Sequence, residues 1–247
     1  MKQLLINWLE IFLFGAVLWL WEIADPRTEI KYITEYPKEL LNWVARFLFD
    51  IILTLGFAYC LRFLFTPTLL DAVANTGILS LPLWVRVIIC YLLSDFTYYL
   101  IHRAMHSYQF LWLTHKWHHS IDVVWWLAGM RVSFMSLFLL RFAVLWVPLL
   151  QLPIETLIVM ILYSATTHVN VKSHPWMGII EWIFVTPRFH CIHHCSSTKV
   201  QGKNLGGMFT FFDRIFGTYV NPETINVEEE KFGLGDEQIT AKMIVGI

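Results

Sequence analysis

The sequence predicts an all-α protein, a multi-pass bundle of transmembrane helices with a histidine-rich cap on its cytosolic side. Three observations predict it. Residues of the set Ala, Val, Ile, Leu, Met, Phe, Trp, Tyr and Cys make up 57% of the 247, and Asp, Glu, Lys and Arg only 15%, against a usual charged share of about 25%. The chain carries 19 Phe and 12 Trp, more apolar surface than a soluble skin can cover. The apolar residues fall in helix-length runs, and all ten histidines lie between His102 and His194. Four cysteines in 247 residues exclude a cystine scaffold, and a net charge of −1 gives no electrostatic case for nucleic acid.

The first run, from Leu4 to about Trp21, is too long and too rich in Trp for a signal-peptide core and is expected to be a retained helix. A polar linker follows from Glu22 to Glu39. The second run spans Leu40 to Phe65, with Arg46 and Asp50 one helical turn apart and suited to pairing. Pro67, Asn75 and Gly77 mark a connection, and a third run covers Leu79 to Ile101. The fourth, Val132 to Leu149, and the fifth, Ile154 to Ala165, flank a turn bracketed by Pro148 and Pro153. Both are short for a hydrocarbon core of about 30 Å. Trp176 to Val185 is shorter still and reads as a surface-lying or re-entrant helix.

Charge placement sets the expected orientation. With residues 102–131 and 168–247 on one side, that side also collects the 22–39 linker and nearly all Lys and Arg, while little beyond Lys2 and Arg62 lies opposite. The positive-inside bias makes the histidine side cytoplasmic, in a bacterial inner membrane or an endoplasmic reticulum.

The histidines fall into boxes: His102 and His106; His115, His118 and His119; then His168, His174, and finally His190, His193 and His194. On a helix, positions i, i+3 and i+4 share a face, so each box is expected to point its imidazoles one way. Neutral imidazole is the commonest protein metal ligand, and this many exceed what one ion accepts, so two metal ions are the economical reading. An all-nitrogen shell suits iron, zinc, nickel or copper. A site reached from the bilayer meets chains whose C–H bonds have no acid–base handle, which points to non-haem iron and activated oxygen.

These residues resemble the fatty acid hydroxylase / sterol desaturase superfamily of integral-membrane, non-haem di-iron oxidoreductases. The resemblance is carried by Asp95-Phe-Thr-Tyr-Tyr-Leu-Ile-His102-Arg-Ala-Met-His106, His115-Lys-Trp-His118-His119, His168-Val-Asn170, His190-Cys-Ile-His193-His194 and Asp213-Arg-Ile-Phe-Gly-Thr218. It divides the chain into N-terminal transmembrane helices and linker (1–87), a catalytic domain (88–220) and a C-terminal cytosolic tail (221–247). It implies two iron ions held by His102, His106, His115, His118, His119, His168, His190, His193 and His194, with O2 as co-substrate. A lipid from the bilayer (sterol, alkylglycerol or fatty acyl) would be hydroxylated or desaturated, with electrons from a separate cytochrome b5 or ferredoxin-type donor and its reductase.

By the same resemblance Asp95 accepts an imidazole N–H, Tyr98 does similar work one turn from His102, and Asn170 and Asp213 support the ligands from outside. Arg131 and Arg214 are expected to organise the cap. His174 has no firm counterpart. Cys191 and Cys195 depart from the family pattern and read as bystanders. The HxxxH spacing of the first box favours the sterol desaturase, C4-methyl oxidase and alkylglycerol monooxygenase side over the fatty acid 2-hydroxylases. Trp112, Trp117, Trp125 and Trp126 are candidates for an apolar tunnel or for an interfacial belt. Two other classes compete: a metal transporter, which requires ligands at mid-membrane depth, and a non-catalytic lipid-binding scaffold, in which boxes would be lost.

Overall fold

A computed structural model describes residues 2–235 and 237–247. Among them no β-strand forms; three isolated bridges, Pro26 with Val171, Phe184 with Phe209 and Cys195 with Phe232, are the sheet-like contacts. The architecture is helical: α1 (Lys2–Ala24), α2 (Tyr32–Leu64), α3 (Pro67–Asn75), α4 (Leu83–Ser107), α5 (Gln109–His119), α6 (Phe134–Leu140), α7 (Trp146–Leu149), α8 (Glu155–Thr166), α9 (Pro175–Ile180), α10 (Pro187–His193), α11 (Phe211–Phe216) and α12 (Ala241–Val245).

Two helices, α2 with 33 residues and α4 with 25, are long and apolar enough to cross a bilayer. Along α2, Leu41, Val44, Leu48, Ile52, Leu55, Tyr59 and Phe63 are all exposed. Their spacing of three or four residues makes one continuous apolar stripe facing outward. The 12 residues of α8 reach only about 18 Å at 1.5 Å each.

The structure also forms a helix, α3, in the expected connection and shifts α4 to Leu83–Ser107, and it revises the expected boundaries most at two further places. The second helix begins at Tyr32, well inside the expected linker, and carries Pro37 within it. Its polar turns are held by the cap: Glu39 is buried in an ion pair with Arg131, and Tyr32 and Tyr36 lie edge-on to Trp125 at 5.6 and 5.0 Å. Tertiary contact thus makes a helix where hydropathy reads a linker. The fourth run is not one helix: after α6 the backbone tightens into a 3-10 turn at Arg141–Val144 before α7. There Arg141 reaches the Asp50 carboxylate at 2.8 Å, joining Arg46, whose Nε is 4.0 Å from the same group.

The core is centred on the connection after α5. Trp125 and Trp126 are buried among Ile11 and Leu18 of α1, Ala165 of α8 and Met177 of α9. They line neither a tunnel nor an interfacial belt. At Gly15 the α1 backbone closes on the Trp126 ring and leaves no room for a Cβ. Glu22, at the end of α1, accepts the backbone N–H groups of Trp126 and Asn170, both at 2.8 Å. These contacts fasten the first helix to the histidine-bearing part of the chain. On α9 and the residues after it, Ile179, Trp182 and Ile183 stay exposed.

Candidate metal centre

Helix α4 ends with His102 and His106, and a single extended residue, Tyr108, turns the chain directly into α5 with His115, His118 and His119. His168 follows α8 by two residues. Thr186 caps α10 by accepting Phe189 N–H at 3.2 Å, and Pro187 fills a first-turn position where no N–H is needed. That start sets the phase that turns His190, His193 and the capping His194 inward.

The nine histidines gather into two sets. His102, His106, His115, His119 and His193 form one; His118, His168, His190 and His194 form the other, and within each set one nitrogen per ring lies within 4.8 Å of all the rest. Every ring is buried except His106, which is partly so. The expectation that each box points one way is therefore corrected. At about 100° per residue, positions i and i+4 lie about 40° apart around a helix, and i+3 lies about 60° to the other side. His115 and His119 accordingly share a set while His118 leans into the other; His190 and His194 share a set while His193 leans away. Both three-histidine boxes straddle the two sets.

Backbone carbonyls fix the ring tautomers. His102 Nδ1 faces Leu205 O at 2.8 Å, His193 Nδ1 faces Lys203 O at 3.0 Å, His118 Nδ1 faces Arg131 O at 3.0 Å, and His168 Nδ1 faces Ser164 O at 3.3 Å. A carbonyl only accepts, so each Nδ1 carries the proton and each Nε2 presents a lone pair. His118 Nε2 and His168 Nε2 then face each other at 3.2 Å with no proton between them. His168 Nε2 also lies 3.0 Å from His190 Nε2 and 3.2 Å from His194 Nε2. In the first set, His102 and His115 bring Nε2 atoms to 2.9 Å, and His119 and His193 to 3.0 Å. Metal–nitrogen bonds of about 2.0–2.1 Å place neighbouring donors about 3.0–3.3 Å apart. The converging lone pairs fit cations, and His106 Nε2, buried without a hydrogen-bond partner, fits as a further donor.

Electrostatics agree. Burial, then the neighbouring imidazoles, push His115, His119, His190 and His194 well below the ordinary histidine range. The same causes act on His118 and His193 against an opposing carbonyl hydrogen bond, and burial lowers His168 to about 4. The rings are neutral at physiological pH, the form that binds metal.

The supporting roles differ from those expected. Asp95 accepts no imidazole N–H: its carboxylate takes the backbone N–H groups of Gly207 (3.1 Å), Met208 (2.8 Å) and Phe209 (2.8 Å). Asp213 takes Leu205 N–H at 2.7 Å, Gly206 N–H at 2.8 Å and the Thr218 hydroxyl at 2.7 Å. The two acids clamp one strap, residues 203–209, whose carbonyls at Lys203 and Leu205 orient His193 and His102. They act one step further out because a helix-borne carboxylate two turns from His102 meets the strap before it meets the ring. Asn170 is likewise turned away from the rings; it exchanges hydrogen bonds with Thr28. Tyr98 packs its ring on His102, centroids 5.1 Å apart.

Arg131 organises the cap as expected, pairing with Glu39 and donating to Ser120 O at 2.8 Å. Arg214 does the same, donating to Glu181 O at 2.7 Å and lying 4.2 Å over the Tyr219 ring. His174 stands apart, paired with Asp25. Cys191 and Cys195 belong to neither set; burial pushes both thiols up, and Cys191 accepts from Arg27.

Sequence reasoning missed the cavity beside the sets. It measures about 170 Å³, and its wall includes Tyr91 and Tyr98 of α4, Met160 and Ser164 of α8, Gly129 and Met130, and Arg46 of α2. No histidine is among the described residues of its wall, but two wall residues lie against the sets: Tyr98 packs on His102, and Gly129 packs so closely on His168 that no Cβ fits. The signal for it was slight, a small residue at 129 and an arginine within an apolar run.

Residues 87–218 match the protein family described as fatty acid hydroxylase. Over 146 residues the chain is 29% identical to the ornithine lipid hydroxylase OlsE of Rhizobium tropici, covering 57% of this chain and 44% of that one. It is 30% identical over 130 residues to the alkylglycerol monooxygenase of Xenopus tropicalis and over 133 residues to that of Homo sapiens, each time covering 51% of this chain and 28% of the relative. The matches thus span less than half the length of these relatives. No solved structure matches the chain.

Proposed function

We propose, on the premise that the chain belongs to the fatty acid hydroxylase family, that it is an O2-dependent lipid hydroxylase with a non-haem di-iron centre. The observation that carries this reading is the pair of imidazole sets, nine ring nitrogens gathered in two groups with four lone pairs fixed by backbone carbonyls, beside a largely apolar cavity. One ion would be held by His102, His106, His115, His119 and His193, the other by His118, His168, His190 and His194. Iron ions bound there supply the redox chemistry that lets O2 attack an unactivated C–H bond.

The chain's own residues do the rest. The cavity takes an aliphatic segment, and Tyr98 and Gly129 are the wall residues that stand between that segment and the rings of His102 and His168. Burial of the rings excludes bulk water, and the carbonyls of Lys203, Leu205, Arg131 and Ser164 hold four rings in the Nδ1–H tautomer. Hydroxylation of R–H to R–OH with O2 releases one water and consumes two electrons and two protons. A separate donor protein of the cytochrome b5 or ferredoxin type, with its reductase, supplies the electrons. The relatives named as hydroxylase and monooxygenase favour hydroxylation over desaturation. In this reading the chain spans the membrane several times with its histidines facing the cytoplasm. Residues 88–220 are the catalytic domain, between an N-terminal membrane part (1–87) and a C-terminal tail (221–247).

The test is metal content in detergent-purified protein grown with added iron, followed by an O2-dependent screen of sterol, alkylglycerol and acyl lipids. About two irons per chain with lipid-dependent O2 uptake is expected. Metal well below one per chain in folded protein overturns the reading.

A further inference from the structure

Arg46 makes no hydrogen bond to a histidine, yet it forms part of the cavity wall. Its Nη1 points at Met130 Sδ, 3.4 Å away, and its Nε is buried without a hydrogen bond. The nearest carboxylate, Asp50, lies 4.0 Å from Nε and is held by Arg141 at 2.8 Å with a further contact from Arg141 to Asp50 O. Two guanidinium groups therefore share one carboxylate, and Arg141 has the better geometry. The acidic residue among the described residues of the wall, Asp95, is turned to three backbone N–H groups of the strap. Tyr163 donates its hydroxyl to Val185 O. The cavity wall thus carries a positive charge with an unused Nε donor and, among the described residues, no anion free to meet it. A buried cation is costly unless paired and hydrogen-bonded, so the charge is set for an acceptor that arrives with the ligand.

Its position is as informative as its charge. Arg46 is seven residues from Glu39, about 10 Å along α2, and Glu39 pairs with Arg131, whose carbonyl orients His118. Met130, the contact of Arg46, follows Gly129, which packs on His168. Arg46 thus stands at the side of the wall formed by Met130 and Gly129, the side that backs onto His168.

We propose that Arg46 is a specificity-determining residue that binds an anionic oxygen of the lipid, carboxylate or phosphate. The carbon presented to the histidine sets is then one close to the headgroup, not a mid-chain methylene. This rests on the reading of the cavity as the lipid's binding place. A planar guanidinium forms strong charge-assisted hydrogen bonds to such oxygens and weaker ones to a neutral hydroxyl.

The experiment measures equilibrium binding of hexadecyl phosphate, hexadecanoate and hexadecanol to the detergent-purified full chain at pH 8, with iron content recorded for every preparation. The wild type should bind at least one of the two anions about tenfold or more tighter than the alcohol, and the preferred anion identifies the headgroup chemistry. Arg46→Gln should bring that ratio close to one, chiefly by weakening anion binding about tenfold, and Arg46→Lys should keep part of it. Asp50→Asn removes the shared carboxylate and should raise the ratio; it decides the matter if Arg46→Gln does not fold. An equal ratio in the wild type and Arg46→Gln, no preference in the wild type, or an unchanged ratio in Asp50→Asn overturns the assignment. Iron near two per chain without an anion preference would discard Arg46 and leave the enzyme reading standing. An Arg46-dependent preference in folded protein that takes up no iron would do the reverse.

Discussion

His118 and His119 are adjacent in sequence, yet their rings stand perpendicular, at 89° with centroids 5.7 Å apart, and belong to different nitrogen sets. One helix turn therefore serves two centres at once. Removing either ring should empty one set and spare the other: His118→Ala and His119→Ala should each retain about one metal per chain. Elemental analysis checks this, and loss of both ions from both variants would show a single shared site instead.

The strap clamped by Asp95 and Asp213 supports only the first set directly, through Leu205 O on His102 and Lys203 O on His193. Asp95→Asn replaces an acceptor of three backbone N–H groups with an amide that must aim an N–H at one of them. The expected cost is about 2–4 kcal/mol in stability. Metal should leave the first set before the second, which chelator-release kinetics resolve into a fast and a slow phase. A uniform release would deny the strap its orienting role.

Gly129 packs against the His168 ring with no space for a Cβ, whereas Gly56 on α2 has open space. Gly129→Ala should displace His168 and cost the second set its ion. Gly56→Ala should leave metal content unchanged and raise stability slightly, since alanine favours a helix over glycine by about 1 kcal/mol. Thermal unfolding with metal analysis on the two variants makes the comparison, and equal behaviour would count against the close packing at His168.

Acid should destabilise the metal-free protein in a defined direction. His168 titrates near 4 when folded against an ordinary 6.5, chiefly through burial. The unfolded chain therefore takes up protons that the folded chain refuses. Stability is fully present above about pH 6.5, falls as pH drops from there, and stops falling on this account below about 4. The other buried rings, shifted the same way, steepen the slope. Denaturant titrations between pH 8 and 4 read it directly, and a flat profile would mean that the rings titrate in the fold as they do in the unfolded chain.

Local periodicity made much of this legible. Histidines three or four residues apart could be assigned to shared helices from spacing alone, and His168 joined them through the family resemblance. Hydropathy located the apolar bodies of α2 and α4, with the C-terminal end of α2 met to one residue and the other three ends missed by four to eight. What stayed hidden depends on residues far apart in the chain. The start of α2 at Tyr32 is decided by Trp125 and Arg131, about ninety residues away. The partner of Asp95 is a strap over a hundred residues on, and no spacing rule reveals that a carboxylate will meet amides there rather than an imidazole. Arg46 and Asp50 read as a self-contained helical pair until Arg141 enters from a broken helix. The tryptophans misled for a related reason: an amphipathic ring suits a membrane surface, a tunnel or a core, and only packing chooses among them.

The straddling of both sets by α10 has a consequence for how the protein is made. Ribosomes deliver the chain from its N-terminus, so α4 and α5 emerge early with five of the nine rings. His190, His193 and His194 arrive some seventy residues after His119. Neither set is complete without them. On the proposed reading, metallation would be a late event in biosynthesis, gated by the docking of one seven-residue helix. A nascent chain halted before Thr186 would be folded enough to hold its first helices yet would contain no finished metal site.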